Sequence, residues 1–492
     1  MTMQQRVSGH LIAGEWNVGG DVAESLDPAT GEVVGLFATG GRGEAAAAVA
    51  AARHVFDSTL WPQDARSRQL VLLEWADRLE RKQEELARLL TLENGKILAQ
   101  ARGEVAAAIS EIRYYAGLAR NVRGHVLEAA PGEFSTIMRE PAGVAAIIVP
   151  WNGPVLLLIR SLAPALCAGC TAVVKPAPQT TLVTAAVLRE LAEIARMPRG
   201  AVNLVGETGH AAAEYLVASD EVDVISFTGS TATGKKIMAD AAATLKKLSM
   251  ELGGKSCCLV FEDADVAALA PRLAAAATII SGQQCTAARR ILVHASREDE
   301  MKEALRAALQ SVVVGPGLDA RSQMGPLIDS RARDTVERQM AEAFDLADEV
   351  LLRAARPPGL PDAGCFLSPG LVAHADADAF FCQDEIFGPL VVIERFEDER
   401  EAVAKANHTV YGLSASVWTQ DGARAIRVAR ALRDGTVWIN DHNRLFAEAE
   451  MGGYRHSGLG RLHGVDALAD FTELKHIYQN AGVLLAGPAP AR

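Results

Sequence analysis

Between Gly143 and Phe261, short apolar runs alternate with helix-length segments, and this alternation constrains the fold more than any other feature of the chain. The runs lie at 145–149, 172–175, 201–205, 222–227 and 256–261, and helical spacing marks 154–168, 180–196, 209–217 and 230–244 between them. Strands buried on both faces read as continuous apolar runs rather than as alternating ones. Repeated strand–helix units predict a parallel sheet covered by helices on both faces, with a ligand beyond the strands' C-terminal ends. A second α/β run starts near Gly253, with helices at 264–282, 298–311, 331–346 and 422–432 and strands at 290–293, 390–395, 414–418 and 436–440. Upstream, strands at 10–12 and 33–37 precede amphipathic helices at 44–55, 64–93 and 98–120. Residues 124–139 read as a hairpin turning at Ala130-Pro-Gly, which a strand at 471–479 could join from this chain or another copy. The last stretch, 486–492, reads as a frayed tail.

A chain of 492 residues is too long for one core and implies two or three domains. Its net charge of −12, with no basic cluster, excludes nucleic acid as an expected partner. Seven scattered cysteines form no disulfide framework and point to a reducing, cytoplasmic setting. The opening residues hold no apolar targeting core, so no signal peptide is expected. The uncharged stretch 142–159 has the length of a membrane span, but Pro150-Trp-Asn-Gly-Pro breaks it into strand, turn and buried helix, so no membrane partner is expected. The histidines show no ligand spacing and no metal is expected; Cys167, Cys170, Cys257 and Cys258 read as core.

Three turns carry residues suited to chemistry at a carbonyl carbon. Cys285 ends Gly-Gln-Gln-Cys, Glu251 opens Glu-Leu-Gly-Gly-Lys, and Asn152 follows Pro-Trp. They offer a nucleophile, a base for water and an oxyanion donor. Each also has a plainer role: a buried small hydrophobe, a solvated carboxylate, and a cap for the helix after Asn152.

Ile225-Ser-Phe-Thr-Gly229-Ser230 runs from strand through turn into helix, a junction that presents free N–H groups to an anion. It nearly matches a P-loop, but Lys236 stands where Ser or Thr would hold magnesium. Lys175 ends another strand, where a cofactor ribose would sit, with no acidic residue expected near it; NADP is therefore not excluded. Glu385-Ile-Phe387-Gly-Pro puts an acceptor and a flat aromatic face in one turn.

Together, Pro150-Trp-Asn, Lys175-Pro-Ala, Phe227-Thr-Gly-Ser, Glu251-Leu-Gly-Gly-Lys, Gly282-Gln-Gln-Cys, Glu385-Ile-Phe-Gly-Pro and 452–461 resemble the aldehyde dehydrogenase superfamily, in order and over essentially the whole chain. The resemblance implies an α/β fold: a Rossmann-like cofactor domain (1–123 and 143–252), an α/β catalytic domain (253–465) and a small β oligomerisation flap (124–142 and 466–492) that joins subunits into a homodimer or homotetramer. It implies NAD(P)-dependent, non-acylating oxidation of a small-molecule aldehyde. Cys285 would form a thiohemiacetal and then a thioester, Asn152 would hold the oxyanion, and Glu251 would activate the deacylating water. NAD or NADP would lie against Trp151, Lys175, Gly229, Ser230, Gly253, Glu385 and Phe387, and the aldehyde against Arg160, Gln284, Leu445 and Met451.

The chain departs from the family pattern at informative places. The Glu many members carry near the strand-end Lys is Pro178, leaving cofactor preference open, and the aromatic pair before Gly-Gly-Tyr is Glu450-Met451. Two groups that relay protons in some members are replaced by Ser161 and Leu462. Arg160 stands eight residues after Asn152, where semialdehyde-oxidising relatives carry an Arg for the substrate carboxylate; their second Arg is Ile279 here. His442 and Arg444 could reach the tunnel mouth, with Glu448 and Glu450 as local partners. The rival readings are a CoA-acylating semialdehyde dehydrogenase, which typically lacks the Glu base, a catalytically silent binding member of the fold, and a cofactor-independent Cys hydrolase.

Overall fold

A computed structural model describes residues 7–485 and 487; of the expected tail at 486–492, all but Gly487 lies outside the described residues, as do the first six residues of the opening segment. Two large sheets organise the chain. The first has eight strands in the order Gly458–Leu459, Lys247–Glu251, Val224–Thr228, Val144–Ile148, Thr171–Lys175, Val202–Leu204, His10–Ile12 and Glu15–Asn17. Its five strands from Lys247–Glu251 to Val202–Leu204 are mutually parallel. The expected strand–helix alternation is present, because Val, Ile and Ala at 144–148 and 171–175 are buried on both faces.

Strand order fixes where a ligand can bind. From Val144–Ile148 the chain steps to Thr171–Lys175 and Val202–Leu204 on one side, then returns to add Val224–Thr228 and Lys247–Glu251 on the other. The crevice between the C-terminal ends of Val144–Ile148 and Val224–Thr228 is therefore a topological switch point. Trp151, Asn152 and Gly229 follow those two ends directly.

The second sheet has seven strands, ordered Glu349–Leu352, Gly370–Ala373, Leu390–Phe396, Arg290–His294, Cys257–Val260, Ser414–Trp418 and Thr436–Ile439; all but the first run parallel. A three-stranded sheet joins the hairpin His125–Ala130 and Glu133–Pro141 to Thr472–Asn480 of the same chain. No helix among the described residues is long and apolar enough to cross a membrane.

Two expectations need correction, and one strand was not expected. The helix expected over 64–93 is two helices, Ala65–Arg81 and Gln83–Asn94, because Lys82 leaves helical geometry (φ −108°, ψ 12°) and folds its N–H back to Glu80 and Leu79. The helix expected to reach 282 ends at Thr278, since Ile280 and Ser281 take left-handed backbone. The strand Lys247–Glu251, which delivers Glu251, lay unnoticed in a segment with lysines at 246 and 247.

Candidate active site

The loop from Pro150 to Pro154 is held from outside. Asn94 Nδ2 donates to the Trp151 carbonyl (2.7 Å) and Lys96 Nζ to the Asn152 carbonyl (2.8 Å). Buried Lys96 pairs with Glu104, whose Oε1 accepts from the Val155 and Leu156 N–H groups at 2.8 and 3.2 Å. Glu104 thereby caps the helix Pro154–Ala168, whose N-cap Gly153 has no side chain to do so. Asn152 is thus not the cap that sequence alone left open. Its Nδ2 donates instead to the Gln283 carbonyl (3.0 Å), turning the amide toward the cysteine loop.

That loop is strained. Ile280 (φ 47°), Ser281 (φ 58°) and Gly282 (φ 74°) are successive left-handed residues, costly for a β-branched side chain and sustained only where surroundings enforce it. Ser281 Oγ donates to the Gly325 and Pro326 carbonyls. Buried Arg289 ties the loop to the 385–388 turn, donating to the carbonyls of Gly282 (2.9 Å), Gln284 (3.0 Å) and Gly388 (3.3 Å). Gly282 itself packs on that turn: a Cβ there would lie 2.3 Å from the Gly388 carbonyl oxygen.

Cys285 stands between two cavities. One, of about 300 Å³, is lined by Trp151, Asn152, Gly229, Ser230, Glu251, Gly253, Cys285, Glu385 and Phe387. The other, of about 340 Å³, is lined by Asn152, Arg160, Ile279, Gln284, Cys285, Leu445 and Met451, among others. Cys285 and Asn152 line both; Glu251 lines the first. Cys285 is half-buried, and desolvation pushes its thiol up to about 11 against the pull of Arg160. Burial likewise raises Glu251 to about 7, while Arg160, 3.9 Å away, draws it back. A carboxyl poised near neutrality suits proton transfer to and from water.

The first cavity carries features suited to the phosphate and nicotinamide-ribose part of a dinucleotide. Ser230 caps the helix Thr231–Ala241 by accepting from Thr233 N–H, leaving a helix start at the crevice. Trp151 and Phe387 meet edge to face at 5.5 Å as two flat walls. Glu385 is raised by burial and keeps Oε1 without a partner among the described residues, an acceptor suited to a ribose hydroxyl. A Cβ at Gly253 would sit 2.3 Å from Glu385 Oε2, so only glycine leaves that carboxylate in place.

The aldehyde dehydrogenase family model matches residues 16–477. The chain belongs to the aldehyde dehydrogenase family. It is 38% identical over 476 residues to the betaine aldehyde dehydrogenase of Bacillus subtilis (strain 168), covering 96% of this chain and 97% of that one. It is 36% identical over 472 residues to the glutarate-semialdehyde dehydrogenase of Pseudomonas aeruginosa, with 95% and 96% covered. The crystal structure of Staphylococcus aureus betaine aldehyde dehydrogenase in complex with NAD+ superposes with a TM-score of 0.93 at 35% identity, covering 97% of this chain and 96% of that one. As a member of this family, the protein is an NAD(P)-dependent aldehyde dehydrogenase.

In this aldehyde dehydrogenase, Lys175 lines neither of the two cavities at Cys285. The expectation that no acid stands near it is overturned. Glu207, at the end of the adjacent strand, lies 3.5 Å from Lys175 Nζ while accepting from the Ala212 and Ala213 N–H groups. His442 and Arg444 do not line the tunnel. His442 is buried against the Thr286 carbonyl (2.8 Å), where desolvation lowers it to about 4; Arg444 is exposed, its Nε 3.9 Å from Asp441. Asn443 between them does line it, with Oδ1 accepting from Gln284 Nε2 (2.9 Å) and Thr286 Oγ1 (2.6 Å). Sequence reasoning missed Lys96, Glu104, Glu207 and Arg289. Only Lys96 carried a signal, in an Asn-Gly-Lys turn whose Gly95 ends a helix at φ 84°.

Proposed function

We propose that this enzyme oxidises an aldehyde bearing an acidic tail to the free carboxylic acid through a covalent bond to Cys285. The observation that carries the reading is the position of Cys285 at the junction of two cavities, one suited to the phosphate and nicotinamide-ribose part of a dinucleotide and one lined by Arg160. Cys285 gives up its proton to water, and Sγ bonds to the aldehyde carbon as the C=O π pair moves onto oxygen. The second N–H of the Asn152 amide and the Cys285 backbone N–H, which no protein acceptor takes among the described residues, hold the developing oxyanion. Bound NAD(P) supplies the hydride acceptor. Glu251 removes a proton from the water that cleaves the thioester, and its presence favours the free acid over an acyl-CoA product. Arg160, buried with Nε unpartnered among the described residues, supports an anionic tail, as does the likeness to a glutarate-semialdehyde dehydrogenase.

Glu207 beside Lys175 favours NAD, since a 2′-phosphate would meet that carboxylate. The 1–123 and 143–252 segments form the cofactor domain and 253–465 the catalytic domain. The three-stranded sheet of His125–Ala130, Glu133–Pro141 and Thr472–Asn480, at the heart of the flap expected over 124–142 and 466–492, joins two or four subunits; exposed Leu127, Leu474, Ile477 and Tyr478 on it support this role. Seven free cysteines favour a cytoplasmic location. The test is a panel of neutral and ω-carboxylated aldehydes assayed with NAD and with NADP, with the product identified. Reduced cofactor with free acid is the expected result; acyl-CoA formation, or no cofactor reduction, overturns the reading.

A further inference from the structure

One wall of the cavity shared by Cys285 and Arg160 is the helix Leu98–Leu118, which presents Gln100, Gly103, Glu104 and Ala107 to it. Spacings of three and four put these residues on one side of the helix, while Ala101, Val105, Ala108 and Ile112 turn to the core. The two long side chains are committed. Glu104 serves Lys96 and the Val155 and Leu156 N–H groups, and Gln100 Oε1 accepts from the Ile280 N–H (3.3 Å). The room beside this wall is therefore set by Gly103 and Ala107, both exposed.

Neither backbone nor packing explains glycine at 103. Its φ is not left-handed, and among the described residues nothing beyond its own stretch of helix lies within 4 Å of where a Cβ would stand. Glycine inside a helix lowers stability relative to alanine, because the unfolded chain has more freedom to lose. Stability forgone with no structural need points to function, and what glycine leaves at this position is space.

We propose that Gly103 and Ala107 set the width of the aldehyde tunnel and admit a substrate whose tail carries a ring. The cavity, at about 340 Å³, is of the size that takes ligands larger than a four-carbon aldehyde. Leu156, Ile279, Leu445 and Met451 make the rest of its wall largely apolar, as the body of such a tail requires. Arg160 answers to the charge of the tail, Gly103 and Ala107 to its girth. The assignment rests on the reading of this cavity as the aldehyde's channel and is independent of the acid group.

The test compares butanal with 3-phenylpropanal, both neutral, on wild-type enzyme, Gly103→Leu, Ala107→Leu and Gly117→Ala. Leucine is a strong helix former and both tunnel positions are exposed, so thermal midpoints should stay at or above the wild-type value. Gly117 is equally open but stands in the helix's last turn and lines neither cavity at Cys285, so G117A reports helix stiffening alone. The expected result is kcat/KM for 3-phenylpropanal down roughly ten- to a hundredfold in G103L and A107L, the scale of steric mismatch in an apolar pocket, with butanal and G117A within about twofold of wild type. Equal losses for the two aldehydes, or the same selective loss in G117A, overturn the width assignment while keeping the cavity as the channel. No change with either aldehyde overturns the channel reading as well. Should the leucine variants not fold, wild-type enzyme decides: kcat/KM for 3-phenylpropanal below roughly one tenth of that for butanal overturns the proposal. Since neither probe carries a charge, the acid-tail reading stands or falls on the carboxylated panel alone.

Discussion

Arg160 Nη2 lies 3.9 Å from Glu251 Oε2, with both side chains almost fully buried and the same guanidinium nitrogen 3.3 Å from Thr228 Oγ1. The arginine thus faces the general base as well as the tunnel. At that separation it opposes the burial that raises Glu251, and it is the first charge to do so. Replacing it with alanine should remove this opposition. With butanal, which has no tail for Arg160 to hold, the rate limb set by Glu251 near pH 7 should move to higher pH in R160A. With 4-oxobutanoate, KM should rise roughly ten- to a hundredfold. A pH–rate profile with an unmoved limb would separate the two side chains functionally.

Glu251 also sets a stability cost. Its carboxyl titrates at about 7 when folded, above the ordinary 4.5. The folded state therefore binds the extra proton across that window, so stability falls as pH rises from about 4.5 to 7 and the loss is complete above it. Glu251→Gln escapes this and should be more stable than wild type by about 3 kcal/mol at pH 8, with little difference at pH 4. The same variant should show a burst of reduced cofactor followed by slow turnover. Thermal unfolding at the two pH values, paired with stopped-flow absorbance, reads both effects.

Cys285 is a thiol at rest, raised to about 11 by burial, so its reactivity has to be created at the moment of attack. Cys285→Ala should leave less than roughly one thousandth of wild-type kcat. Because Trp151, Phe387, Glu385 and the Gly229 turn are untouched, NAD(P) affinity by calorimetry should remain within about twofold. Loss of cofactor binding in this variant would mean that the two cavities are not independent.

The strands that build the switch point are legible because Ala145–Ile148 and Thr171–Val174 are buried on both faces and leave uninterrupted apolar runs. The break at Lys82 left no such mark, since neither Gly nor Pro punctuates it. Ile280 and Ser281 mislead outright: their types argue against left-handed backbone, and remote contacts from Arg289, the 385–388 turn and the Gly325 and Pro326 carbonyls impose it. Catalytic candidates stand in Gly- and Pro-marked turns and so could be picked out. Their supports could not, because the pairs that matter are remote: Asn152 and Gln283 are 131 positions apart, and nothing local to either announces the other.

The same remoteness makes the support for Asn152 testable. Lys96 reaches the Asn152 carbonyl only while Glu104 neutralises it, and Glu104 also caps the helix that starts two residues later. Glu104→Ala strips the cap and leaves an ammonium buried without a counter-charge, which should cost about 3–5 kcal/mol of stability. A Lys96→Met, Glu104→Gln double variant removes the stranded charge and should recover much of that loss. Its kcat should nonetheless stay low, because the Asn152 turn has lost its anchor. Asn152→Ala sets the floor, with kcat down by roughly 10²–10³ as for loss of one oxyanion donor. If the double variant turns over like wild type, the lysine serves the fold alone and the geometry at Asn152 is held by Asn94 and Gln283.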